Sequence, residues 1–122
     1  MILVDTSVWI DHLHHTESAL VALLEQNAVL MHPMILGELA CGNLKNRALL
    51  IGLWQDLPRI SAATDAEAIQ FLEIHELMGK GVGFIDVHLL SAVALENGAQ
   101  LWTHDKRLAE IATGLGLGYP EN

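Results

Sequence analysis

The chain has 122 residues, 52% of them hydrophobic, with fifteen acidic residues against six lysines and arginines and a net charge of −9. That length accommodates one domain with one real core, no apolar run nears the roughly 20 residues of a membrane span, and a single cysteine excludes an internal disulfide. The acidic balance repels phosphate and argues against a nucleic-acid binder, unless carboxylates gathered around divalent cations present a locally positive site.

Residues 2–5 read as a short, fully buried strand that ends on a carboxylate. Residues 7–13 look helical, and residues 17–26 form a second helix with Thr16 placed to cap it and Leu20, Leu23 and Leu24 on one face. "AVLM" at 28–31 is a second strand. Pro33 suits the first turn of the helix "PMILGELACG" and Gly42 its end. "NRALLIGLWQDL" is the next helix, halted by Pro58. Thr64 and Glu67 form a capping-box pattern ahead of a helix carrying Ile69 and Leu72. After "GKGVG", the segment "FIDVHLLSAVALENG" is apolar on most of its circumference, as a buried helix would be. "AQLWT" is a strand, and residues 106–115 a final short helix. Short apolar strands alternating with helices predict an α/β fold, a parallel sheet covered on both faces, in a single domain over residues 1–122. The lone Cys41 and a start without a basic flank or cleavage site predict a soluble, cytoplasmic protein.

Ligand sites in open parallel sheets form outside the carboxyl ends of the strands. Asp5 closes the first strand there, and Asp105 follows the late one. Glu38 and Asp86 sit just inside helices that follow connections. If the strands are neighbours, all four acids point into one crevice. Oxygen-only ligands on a rigid frame suit Mg²⁺ or Mn²⁺, with Thr6 or Ser7 orienting Asp5 or a bound water. Simpler roles stand beside this one. Asp5 and Asp105 are placed to cap helices, Asp86 sits where the helix dipole favours a negative charge, and Glu38 fits a solvated face.

Four motifs, "ILVDTSVWIDHL", "HPMILGELACG", "GKGVGFIDVHLLSA" and "LWTHDKRL", occur in order over nearly the whole chain, with "LP" at 57–58 and "LGLGY" at 115–119. Together they resemble the PIN-domain family, most closely its bacterial VapC toxin branch. The resemblance implies a PIN-like fold and an Mg²⁺- or Mn²⁺-dependent endoribonuclease, leaving 5′-phosphate and 3′-hydroxyl ends. Carried over by position, the acids are Asp5, Glu38, Asp86 and Asp105, with Asp5 and Asp86 foremost as metal ligands and Thr103 as a supporting hydroxyl. It also implies a VapB-type antitoxin, an RNA substrate and a homodimer. His104 departs from the pattern, since the branch often carries arginine there, and this bears on substrate preference. Lys45, Arg47, Lys80, Lys106 and Arg107, with His104, are the expected contacts to the RNA backbone.

Other motifs are incomplete. "GKGVG" has neither phosphate-loop nor dinucleotide spacing, and His75-Glu76 has no second histidine where a zinc protease needs one. His12, His14 and His15 read as a solvated face, and Trp9, Trp54 and Trp102 as core or interface. Two other functions fit an α/β domain with acids at strand ends. One is a receiver-like phosphate-accepting signalling domain, although that fold wants paired acids where Asp5 is followed by Thr6 and Ser7. The other is a catalytically silent PIN-like module kept for protein contacts.

Overall fold

The computed structural model describes residues 1–121. Three short strands, β1 (Ile2–Val4), β2 (Val29–Leu30) and β3 (Gln100–Trp102), form a parallel sheet in the order β2-β1-β3. The central strand pairs Ile2 with Val29 on one side and Val4 with Trp102 on the other. Every residue of β1 and β2 is buried. Successive strand side chains point to opposite faces, so uninterrupted burial means that both faces are covered. Leu3 is fully enclosed, and burying such a side chain contributes about 2 kcal/mol.

The flanking helices are α1 (Thr6–His14), α2 (Ser18–Glu25), α3 (Pro33–Ala40), α4 (Arg47–Gln55), α5 (Asp65–Ile74), α6 (Phe84–Leu95) and α7 (Lys106–Gly114). They follow the predicted order, with boundaries within a few residues. Thr64 and Glu67 close a reciprocal capping box on α5, the hydroxyl accepting from the Glu67 N–H at 3.1 Å and the carboxylate from the Thr64 N–H at 2.8 Å. Pro33 occupies the first turn of α3 as expected. Thr16 does not cap α2: the cap position falls one residue later, on Glu17, whose side chain makes no capping bond. In α6, residues 87–93 are all buried, which is why its sequence shows no amphipathic stripe.

Both sheet edges are closed by irregular chain. Met31 bridges to Arg59 beside β2, and Leu101 bridges to Gly118 beside β3. These additions occupy backbone groups that an open edge would leave for another chain.

Candidate functional site

Parallel pairing of β1 with β3 places Asp5 beside Thr103, one residue past each strand's carboxyl end. The Asp5 N–H continues the ladder to the Trp102 carbonyl at 2.8 Å, so its side chain leaves the sheet from a fixed point. Asp5 is 7% exposed, and its Oδ2 accepts from Thr103 Oγ1 at 2.7 Å and from Ser7 Oγ at 2.9 Å. The Ser7 hydroxyl also receives the His104 N–H at 3.0 Å. Asp5 stands at the cap position of α1 but makes no side-chain capping bond. Its carboxylate therefore does not serve the helix.

The other three acids are each tied by one oxygen. Glu38, exposed on α3, accepts the Thr6 hydroxyl on Oε1 at 2.9 Å. Asp86, in the first turn of α6, accepts the Gly83 N–H on Oδ2 at 3.2 Å. Asp105 caps α7, accepting the Leu108 N–H on Oδ1 at 3.0 Å, while its own N–H donates to Thr103 Oγ1 at 3.0 Å. Among the described residues, no protein donor meets Asp5 Oδ1, Glu38 Oε2, Asp86 Oδ1 or Asp105 Oδ2. Four carboxylates are oriented through one oxygen and open on the other.

Electrostatics links them. Burial raises the Asp86 pKa, the Gly83 N–H opposes that, and the charges of Asp5, Asp105 and Glu38 push it further up. Asp86 thus feels all three partners. No lysine or arginine forms an ion pair with any of these acids among the described residues. A hard divalent cation relieves this mutual repulsion, so the donor set fits Mg²⁺ or Mn²⁺. The cluster is nonetheless loose: among the described residues, no three of these acids bring ligand oxygens within 4.8 Å of one another.

The basic residues divide. Lys45, Lys80, Lys106 and Arg107 are exposed, with Lys106 and Arg107 directly after Asp105. Arg107 lies over Gly81, whose φ of +82° and lack of a Cβ admit the guanidinium, so the loop before α6 meets the start of α7 beside Asp86 and Asp105. Arg47 is spent on structure: its guanidinium donates to the Ala40 and Gly42 carbonyls at the end of α3. His104 does not project freely either. Its Nδ1 bonds Asp11 Oδ2, and its Nε2 lies 3.1 Å from Glu121 Oε1 and 4.0 Å from Glu17 Oε1. Burial pulls the His104 pKa down, but the bond to Asp11 and the Glu121 charge outweigh it and the net shift is upward.

Sequence reasoning missed two groups. One is this convergence on His104, drawn from positions 11, 17 and 121 by tertiary packing alone. The other is a buried histidine pair, His32 at the cap of α3 and His88 on α6, each with one ring nitrogen unpartnered. The signal for the second was visible: histidines stand inside otherwise apolar runs, next to the segments that carry Glu38 and Asp86.

A parallel α/β layer covered on both faces, with oriented, half-open carboxylates at and beside its strand ends, falls in the class of small α/β domains that place ligand sites at the carboxyl ends of their strands. The chain belongs to the PIN-domain family: the PIN domain profile matches residues 2–114. It is similar to two proteins of Mycobacterium tuberculosis named Ribonuclease VapC32, from strains CDC 1551 / Oshkosh and ATCC 25618 / H37Rv. Each is 40% identical over 121 residues, covering 99% of this chain and 98% of the relative. Membership in this family removes the receiver-like alternative.

Proposed function

We propose that this protein is a divalent-cation-dependent endoribonuclease and the toxin half of a VapBC-type pair, with Asp5, Glu38, Asp86 and Asp105 as its metal-holding acids. One observation carries the reading: each acid is fixed through one oxygen and free on the other, with Asp86 raised by burial first and then by the charges of its three neighbours. The ribonuclease name of the mycobacterial relatives supplies the substrate class.

A bound Mg²⁺ or Mn²⁺ supplies charge neutralisation at the phosphodiester and activation of water at neutral pH. The protein's part is positioning. Thr103 and Ser7 both donate to one Asp5 oxygen, so the other is held toward the cleft without reorganisation. Thr6 does the same for Glu38, the Gly83 N–H for Asp86, and the helix cap for Asp105. Lys106 and Arg107, exposed directly after Asp105, are the first candidates to hold the RNA backbone, and the exposed Lys80 and Lys45 the next.

A VapB-type antitoxin fits the apolar surface between α1, α2 and α4. A groove of about 290 Å³ there is lined by Trp9, Leu13, Leu24, Leu50, Leu53 and Trp54, and an amphipathic helix is the usual occupant of such a surface. Homodimerisation fits a second apolar surface, where Ile69, Ile74, Met78, Phe84, Ile85 and Leu95 are exposed along α5, α6 and the loop between them. No helix of the described residues is long and apolar enough to cross a membrane, and the reading places the protein in the cytoplasm with its RNA.

The test is induction in a bacterium lacking the antitoxin, comparing wild type with Asp5→Asn and mapping RNA ends. Growth arrest with new 5′-phosphate ends is expected from the wild type alone. Equal toxicity from both proteins refutes the nuclease as its cause.

A further inference from the structure

The convergence on His104 remains unexplained by RNA cleavage. Three carboxylates, Asp11, Glu17 and Glu121, surround one imidazole, and no lysine or arginine pairs with them among the described residues. Even a protonated ring leaves a surplus of negative charge. His104 Nε2, a Glu17 oxygen and a Glu121 oxygen all lie within 4.8 Å of one another, the one such trio among the described residues. Asp11 takes the opposite ring nitrogen, which in the neutral ring leaves the lone pair on Nε2, facing the two glutamates. A carboxylate behind a histidine, with the far nitrogen turned to further oxygen donors, is the usual arrangement around a protein-bound zinc ion.

We propose that His104, Glu17 and Glu121 form a second cation site, for Zn²⁺ or a similar transition-metal ion, with Asp11 as its orienting residue and water in the fourth position. The distances agree. Ligands about 2.1 Å from a tetrahedral zinc ion are about 3.4 Å apart, and the observed 3.1 and 4.0 Å bracket that separation. The imidazole donor also separates this site chemically from the four-carboxylate cleft, because nitrogen ligands select transition metals over Mg²⁺. Occupancy joins three segments: the α1–α2 connection through Glu17, the β3–α7 turn through His104, and the C-terminal segment through Glu121. The His104 N–H donates to Ser7, and Ser7 to Asp5, so the pinned turn also supports the cleft. The proposal does not depend on the nuclease reading.

The experiment titrates Co²⁺, as a coloured stand-in for Zn²⁺, into the full chain with saturating Mg²⁺ present to occupy the carboxylate cleft. One equivalent is expected to produce the intense visible bands of tetrahedral coordination, and Zn²⁺ to bleach them and raise the melting temperature. His104→Gln abolishes the bands, and Asp11→Asn weakens affinity by about tenfold or more. Circular dichroism establishes that the variants are folded, and Glu17→Gln stands in for any that is not. Absence of the bands in the wild type overturns the site, as an imidazolium that merely pairs with carboxylates gives no colour. Bands that survive both His104→Gln and Glu17→Gln also overturn it, because the ion then sits elsewhere.

Discussion

The buried His32 makes the fold acid-sensitive in a defined window. Its ring is 1% exposed, and its Nδ1 accepts the Met34 N–H at 3.0 Å, capping α3. Accepting on Nδ1 puts the ring proton on Nε2, so a second proton must enter at Nδ1 and break the cap. Burial, and then the neighbouring His88, lower the pKa from 6.5 to about 4. The unfolded chain therefore binds a proton more readily than the folded one, and stability rises with pH between these values. The contribution is fully present above pH 6.5 and is lost as pH falls toward 4. The whole shift corresponds to about 3 kcal/mol, of which about 2 kcal/mol is lost by roughly pH 5. Asparagine keeps a cap acceptor without titrating, so His32→Asn shifts overall stability but flattens its pH dependence. Urea unfolding of both proteins between about pH 7.5 and pH 5 measures the two slopes. Parallel loss of stability in the two would refute the reasoning.

Four further outcomes follow from the geometry. Burial and three like charges raise Asp86, so its ionisation opposes folding; cation-free stability falls as pH rises through the carboxylate range, Mg²⁺ reverses the loss, and Asp86→Asn melts higher than wild type without metal while losing RNA cleavage. Thr64→Ala removes the hydroxyl half of the α5 capping box, leaving the backbone N–H of residue 64 on the Glu67 carboxylate, and costs about 1 kcal/mol in denaturant unfolding. Arg47→Ala leaves RNA affinity unchanged and lowers stability by about 1 kcal/mol, because its hydrogen bonds serve the end of α3. Lys106→Ala combined with Arg107→Ala weakens RNA binding and reduces the salt slope by about two, and an unchanged slope in filter binding counts against a phosphate contact.

The fold was legible where one local signal decided the answer. Three short, mainly apolar runs became the three strands, and Thr64 with Glu67 announced the start of α5. Asp5 stood out for the same reason: a carboxylate that terminates a buried strand has few structural uses, and its side chain makes no capping bond. Signals failed where two local choices had similar energies. Thr16 and Glu17 compete for one helix start, and the cap position falls on Glu17 although its side chain makes no capping bond. Arg47 looks in sequence like any cation near a cleft, yet carbonyls left open at the end of α3 claim it.

His104 shows why composition misled most. Seven histidines in an acidic chain read as scattered, since nothing local joins position 104 to positions 11, 17 and 121. Folding joins them through the sheet. β1 and β3 are parallel neighbours, so the turn after β3 must lie over the start of α1, and Ser7 meets the His104 amide there. The chain after Leu101's bridge to Gly118 runs alongside the same strand, which delivers Glu121 to the imidazole. The pairing that sets the Asp5 carboxylate on one side of Ser7 thus sets the histidine cluster on the other. A chain with a net charge of −9 is in this way divided into two local concentrations of negative charge, one of oxygens only and one with a nitrogen donor. Their ligand chemistry, rather than total charge, decides which cation each can hold.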